Sequence, residues 1–251
     1  LGWFFVREGE GNLRLSVVSH GQQALLAHLL QDLRKLPENV QISITANCPG
    51  SLPAHLLLDQ WLDVTENTQP AGFGANHNAV FQRSKASFFG VINPDLRMPT
   101  DPFPALLDAL KQPDVGVVAP LVRSPSGEVE DNARNFPRFH DLVAKALGAA
   151  DGRAPVSGTD PQAVDWVGGM CMLFRQEAFA SIGGFDEGFH LYYEDVDICA
   201  RLWRAGWKVL LVPEAEVIHD AQRTSRRNLG YMRWHALSIA RYFFKHLGRL
   251  P

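Results

Sequence analysis

Apolar residues along this chain fall into two patterns. In "LRLSVVS" (13–19), "VQISITA" (40–46), "WLDVTEN" (61–67), "FFGVIN" (88–93) and "VGVVAPLV" (115–122) they form short blocks bounded by turn residues, which predicts strands. Between the blocks the period changes. Leu25, Leu26, Leu29, Leu30, Leu33 and Leu36 repeat at helical spacing in "QQALLAHLLQDLRKL", and "GFGANHNAVFQRSKA" and "DPFPALLDALKQ" predict two further helices. Strands alternating with helices imply an α/β fold, a mostly parallel sheet with helices on both faces and right-handed crossovers. Ligands of such sheets bind beyond the C-terminal ends of the strands. Ser19 and His20, Asn47, and Asn93 with Asp95 stand at three of those ends.

The alternation weakens from 124 to 163. "SPSGEVEDNARNFPRF" and "GAADGRAPVSGTDPQ" read as loops around one short helix, "FHDLVAKALG" (139–148). "AVDWVGGMCMLFR" then resumes as one strand, and "EDVDICARLWRAG" as a helix ending at the C-cap glycine Gly206. "WKVLLVP" and "AEVIHD" predict two strands, and a long helix follows from about 226. No internal repeat or flexible linker is visible, which predicts one domain over 1–251.

Composition narrows the class. Hydrophobic residues make up 46% and charged residues 20%, an ordinary globular balance. No apolar run approaches the roughly 18 residues of a membrane span, and no leader is visible. Cys48, Cys171 and Cys199 are far apart and lack metal-ligand spacing, which predicts reduced thiols in a cytoplasmic chain. The net charge of −3 suggests no nucleic-acid partner. The charge is uneven, however. Residues 221–251 hold seven Lys and Arg and no acid, so that tail carries +7 and leaves −10 for the rest.

Four places carry candidate chemistry, each with a plain alternative. Asn93-Pro94-Asp95 ends a strand; a carboxylate held there by a rigid proline suits a hard divalent cation, or the triplet is a turn. Glu194, Asp195 and Asp197 open a helix, where its dipole favours them; crowded carboxylates also raise one another's pKa and make a general base. His219 ends an apolar strand, as a metal ligand oriented by Asp220 or as a structural residue. Trp166 beside Gly168-Gly169 is core, or a platform for a sugar face. "GFGANHNAVF" faintly suggests a phosphate loop, but G-x-G-x-x-G is missing and the site is wrong for a dinucleotide fingerprint.

Taken together, "LSVVSHG", "GFGANHNAVFQRSKASFFGVINPDL", "ALSIARYFFKH" and, most specifically, "GGFDE…YYEDVDICARLWRAGW" resemble family 2 glycosyltransferases of the GT-A fold, in the rhamnosyltransferase-like branch. The resemblance runs from about 13 to 247. It implies a nucleotide-sugar-binding half (13–123), an acceptor and catalytic half (124–225) and a basic C-terminal helix (226–251). It implies Mg²⁺ or Mn²⁺ held by Asp95 and His219, and Asp195 as general base. Ser19, His20, Asn47, His77, Asn78 and Asn93 would meet a nucleoside-diphosphate sugar donor, with rhamnose suggested by the branch. Trp166 and Glu194 would hold a glycan or polyprenyl-diphosphate-linked acceptor. His20 stands where the family commonly has Tyr, and Ala46 where it usually has a base-reading Asp. The rival expectation is a non-catalytic nucleotide- or glycan-binding subunit. The basic tail has two readings: a peripheral contact with the inner face of an anionic membrane, or packing over the sheet.

Overall fold

The computed structural model of the protein describes residues 12–138, 154, 156–220, 229–247 and 249–251. The helix expected at 139–148 and the tail cations Arg223, Arg226 and Arg227 lie outside the described residues.

In chain order, the described elements are β1 (Leu13–Ser19), α1 (Gln23–Leu33), β2 (Val40–Ala46), α2 (Ala54–Leu57), β3 (Leu62–Glu66), α3 (Phe73–Arg83), β4 (Phe88–Ile92), β5 (Leu96–Arg97), α4 (Phe103–Ala109), β6 (Val115–Arg123), β7 (Ala133–Arg134), β8 (Gln162–Ala163), β9 (Trp166–Val167), β10 (Cys171–Arg175), α5 (Gln176–Ser181), α6 (Glu194–Arg204), β11 (Lys208–His219) and α7 (Leu229–His246). Nine strands share one sheet in the order β3-β2-β1-β4-β10-β6-β11-β5, with β8 beside β11. β7 and β9 form a separate ribbon.

The sheet has two characters. β3, β2, β1 and β4 are all parallel. β10 then runs antiparallel between β4 and β6, β11 returns parallel to β6, and β5 closes the edge antiparallel. The sheet is therefore mixed, parallel where strands and helices alternate strictly and reversed where the loops intervene.

Alternation across the strands sorts the core onto two faces. Leu13, Leu15 and Val17 of β1 and Cys171 and Leu173 of β10 join Leu26, Leu29 and Leu33 of α1 and Leu106 of α4. Phe89 and Val91 of β4 and Met172 and Phe174 of β10 join Val80 of α3, Phe179 of α5, Ile198 and Leu202 of α6 and Tyr242 of α7. Helices thus cover both faces, as the alternating pattern predicts.

Two expected elements change form. The expected strand 163–175 is cut into β8, β9 and β10, because Gly168-Gly169 bends the chain between β9 and β10. The two strands expected around Pro213 are one, β11. Its register on β6 slips between Val212 and Glu216, so the proline sits in an irregularity where its missing N–H costs no ladder bond.

Candidate active site

A cleft of about 470 Å³ opens over the strand ends, within the size range of ligand sites. Across the sheet its floor runs from Asn47 after β2 and His20 after β1, past Asn93, Pro94 and Asp95 after β4, to Gly168, Gly169 and Trp166 before β10. Phe73, His190, Tyr192, Glu194, Asp195 and Trp234 complete the walls. Seven expected site residues, namely His20, Asn47, Asn93, Asp95, Trp166, Glu194 and Asp195, therefore share one cavity.

Asp195 sits in the first turn of α6. The backbone N–H of Gly169 donates to Oδ2 at 3.1 Å, and that of Val196 to Oδ1 at 2.9 Å. The Gly-Gly bend brings the first donor close: a Cβ on Gly169 would lie 3.2 Å from the Phe73 ring. Burial raises the Asp195 pKa, and these N–H groups hold it back by favouring the charged form. Glu194 is buried, and its Oε2 has no hydrogen-bond partner. Burial, then the charge of Asp195, pushes Glu194 well above the usual carboxylate range. Both carboxyls are raised, and burial favours the proton on Glu194 rather than on Asp195, whose charged form the two N–H groups stabilise.

The turn before α6 is strained. Tyr192 and Tyr193 have φ of 68° and 66°, the two non-glycine residues with positive φ among the described residues. Each such residue costs roughly 1–2 kcal/mol, and such strain clusters at functional sites.

Asp197 plays a different part. It is fully buried and faces away from the cleft, bonded to Arg201 Nε at 2.7 Å, His246 Nε2 at 2.8 Å and Lys245 Nζ at 2.7 Å. Burial alone would raise it, but these partners hold it well below the usual range. It anchors α7 to α6. Ser238 Oγ donates to the Leu191 carbonyl at 2.8 Å, and Arg241 and Lys245 reach Asp186. One face of the basic helix therefore packs on the body.

A divalent cation would find a suitable ligand in Asp95. Its Oδ1 is buried with no partner, and a hard cation takes carboxylate oxygen. His219 lies behind it, with Nε2 3.3 Å from Asp95 Oδ2 and Nδ1 2.7 Å from Glu130 Oε2. Burial opposes a charged imidazole, but the bonds to Asp95 and Glu130 outweigh it and push His219 up to about 9. His219 thus bridges two carboxylates, which favour its charged form. Among the described residues no three His, Cys, Asp or Glu side chains form a metal cluster.

Three expected donor contacts lie elsewhere. Ser19 is buried, and its Oγ accepts from the Gly21 N–H at 3.4 Å. His77 is buried, its Nδ1 2.8 Å from Ser16 Oγ, and burial followed by the charge of His20 pushes it down to about 3. Asn78 is buried too. Its amide exchanges hydrogen bonds with the Phe185 backbone at 2.9 Å each way and donates to Glu187 at 3.0 Å. Asn78 thus holds α3 to the segment 185–187, and His77 ties α3 to β1. The glycines of "GFGANHN" serve the same seam: a Cβ on Gly74 would meet Phe185 Cβ at 2.6 Å, and one on Gly72 the His190 carbonyl at 3.0 Å. That stretch is a packing surface, not a phosphate cradle.

Asn47 lines the cleft but is spent internally. Its Oδ1 accepts from Asn67 Nδ2 at 2.8 Å, the Ala71 N–H at 2.8 Å and Asn76 Nδ2 at 3.2 Å. Its Nδ2 donates to the Ala71 carbonyl at 2.9 Å and faces His20 Nδ1 at 3.3 Å. Sequence reading missed His190, Trp234 and Glu130. The first two come together only through the fold, and Glu130 sits in a loop-like run where nothing marks it.

Residues 89–247, more than half of the chain, match the family described as Glycosyl transferase family group 2. The chain is 37% identical over 148 residues to the N-acetylglucosaminyl-diphospho-decaprenol L-rhamnosyltransferase of Mycobacterium tuberculosis, covering 55% of this chain and 48% of that one, about half its length. It is 29% identical to the rhamnosyltransferase WbbL of Escherichia coli over 90% of each. In fold it is similar to a mannosyltransferase of Pyrobaculum calidifontis solved with GDP-Man and Mn²⁺ (TM-score 0.66, 15% identity, 96% of this chain and 66% of that one). It is also similar to GalNAc-T7 solved with UDP, GalNAc and Mn²⁺ (TM-score 0.66, 16% identity, 85% and 44%). These likenesses place the chain in the GT-A fold.

Proposed function

The chain belongs to glycosyl transferase family group 2, and from that premise we propose that it moves a sugar, rhamnose being the first candidate, from a nucleoside-diphosphate donor to a hydroxyl of a glycan or polyprenyl-diphosphate-linked acceptor. The observation that carries the reading is the pairing, in one cleft, of a backbone-held Asp195 carboxylate with the unpartnered Asp95 Oδ1. The rhamnosyltransferase names of two relatives support the sugar, and the lipid diphosphate in one of them supports the acceptor.

In this reading Asp195 takes the proton of the acceptor hydroxyl as that oxygen attacks the anomeric carbon. The bond to the diphosphate breaks on the opposite side, and the anomeric configuration inverts. Glu194, holding its proton, donates a hydrogen bond to the acceptor, and Trp166 lies against a sugar face. Asn93 and Asp95 border the diphosphate. Asp95, with His219 beside it, would hold Mg²⁺ or Mn²⁺, which supplies Lewis-acid stabilisation of the leaving diphosphate. A bound cation would favour loss of the His219 proton.

The outer face of α7 supports a place for the chain on the inner face of the cytoplasmic membrane. Leu237, Phe244 and Leu247 are exposed there, Phe244 at 89%, with Arg233 and Arg249 also exposed. No helix among the described residues is long and apolar enough to cross a membrane, so contact would be peripheral.

The test is transfer from dTDP-rhamnose and other nucleotide sugars to a polyprenyl-diphosphate-linked acceptor, with Mn²⁺ and with chelator. Product whose anomeric configuration is inverted, formed only with metal, is expected. Nucleotide binding without transfer to any acceptor would favour a non-catalytic binding subunit.

A further inference from the structure

Asp95 is weakly held at its side chain. Its Oδ1 has no partner, and its Oδ2 faces His219 Nε2 at 3.3 Å. Its place is therefore set by the backbone that carries it, and that backbone is slight. After Pro94 the chain forms β5, two residues at the edge of the sheet, paired with Ile218 and His219 of β11. The Asp220 N–H adds one bond to the Asp95 carbonyl at 2.9 Å.

A carboxylate from another element supplies the rest of the hold. Asp32 of α1 is buried. Its Oδ2 accepts from Arg97 Nε at 2.7 Å and from the Met98 N–H at 3.0 Å. Its Oδ1 accepts from Lys35 Nζ at 2.9 Å and Arg97 Nη2 at 3.4 Å. Burial opposes the charge of Asp32, but the bonds from Arg97, Lys35 and the Met98 N–H outweigh it and hold the carboxyl down at about 2. β5 is thus gripped from both directions, by β11 through backbone and by α1 through one side chain.

Nothing local favours an acid at this position. Asp32 lies in the last turn of α1, where the helix dipole disfavours a negative charge. Asp is a poor helix former, and a buried carboxylate is costly to desolvate. Its neighbours Leu29, Leu30 and Leu33 are core. A residue that breaks these rules is expected to serve something outside its own element. What Asp32 reaches across the fold is the strand that follows Asp95.

We propose that Asp32 is a positioning residue for the metal ligand: through Arg97 and the Met98 N–H it fixes β5, and so the place of the Asp95 carboxylate in the cleft. The proposal rests on the reading of Asp95 given above.

The test is calorimetry of UDP on the full chain, with Mn²⁺ and with chelator. Asp32→Asn keeps an oxygen for the Met98 N–H but removes the charge that holds Arg97. It is expected to weaken Mn²⁺-dependent UDP binding by about 10-fold, the lower end of what residues that orient metal ligands contribute. Binding in chelator should not change. Because the ligand is displaced rather than removed, raising Mn²⁺ should recover most of the loss, which Asp95→Ala should not allow. Arg97→Gln should act alike, and the double variant should lose no more than either alone. Leu29→Ala cuts the core of the same helix and controls for stability; its Mn²⁺-dependent binding should match the parent's. If Asp32→Asn binds within about twofold of the parent, or if Leu29→Ala loses as much, Asp32 is a fold anchor and the proposal is wrong. The Asp95 reading then survives wherever Asp95→Ala abolishes the metal-dependent part. If Asp32→Asn does not fold, Arg97→Gln against Leu29→Ala decides by the same measure. If UDP binding to the parent does not depend on Mn²⁺, the Asp95 reading fails and takes the proposal with it.

Discussion

The two ends of the cleft are built on opposite terms. At the β1–β2 end polar atoms are used up. Asn47 ties Asn67, Asn76 and both polar atoms of the Ala71 backbone into one cluster, and its amide has no capacity left for a ligand. At the β4–β10 end atoms are left over. Asp95 Oδ1 and Glu194 Oε2 are buried without partners, and the chain enters α6 through two left-handed tyrosines. A buried polar group without a partner costs about 1–3 kcal/mol, so the second end is sustained by the rest of the fold. The difference separates residues that make the cleft from residues that act in it, although both kinds line it.

The sharpest way to break this comparison is Asp195→Asn. It should leave donor affinity near that of the parent and lower turnover by about 10²- to 10⁴-fold, as loss of a general base does. Steady-state kinetics against isothermal calorimetry would separate the two effects, and a fall below tenfold would move the role to another group. The pH profile sharpens the same point. Because the Asp195 pKa is raised, activity should fall as pH drops through a value above the ordinary carboxylate range.

Next in size is Asp95→Ala. It should remove Mn²⁺-dependent nucleoside diphosphate binding by more than the roughly 10- to 100-fold that an outer-shell partner contributes. Equal affinity with and without Mn²⁺ in both proteins would deny Asp95 the metal.

Asn47→Ala should act on the other end and in another quantity. It strands the Ala71 N–H and one N–H of Asn67, while Asn76 keeps the Ala71 and Gly72 carbonyls, so a stability loss of about 1–3 kcal/mol is expected in urea unfolding, with kcat preserved. A large fall in kcat at unchanged stability would make Asn47 a working residue.

The smallest effect belongs to Tyr193→Gly. Glycine accepts the positive φ, but it removes the half-buried ring packed on His235, Tyr242 and the core and adds freedom to the unfolded chain, so the relief of strain is offset and stability should not rise. Activity should fall, because the tyrosine ring fixes the entry to α6. Faster turnover would show that the strain serves nothing.

Much of this was legible in the sequence, for physical reasons. Helices and buried strands follow from apolar spacing, and strand-end Asn93 and Asp95 follow from the rule for parallel sheets. The elements that escaped are short or irregular. α2, β5, β7 and β8 span four residues or fewer, too few for any period to show. Pro213 imitates a strand end because a bulge and a break call for the same residue. At the site, spacing could not tell Asp195 from Asp197, which lie on one turn of α6 and face opposite ways. Nor could residue type show that His77 and Asn78 are consumed by the fold. A polar side chain reads the same whether its partner is a ligand or a carbonyl a hundred residues away.

The knot at Asp197 also bears on the order in which the protein is made. Chains emerge from the ribosome N-terminus first, and folding can begin before synthesis ends. The sheet, α6 and Asp195 are all translated before Lys245 and His246, which bond to Asp197. Until those two residues emerge, the Asp197 carboxylate has Arg201 but lacks two of its three side-chain partners. A buried charge without its partners is strongly destabilising. The helix that carries Asp195 is thus kept from settling until α7 is synthesised, and a nascent chain that stalls short of residue 246 would be left with an unfinished cleft, open to proteolysis.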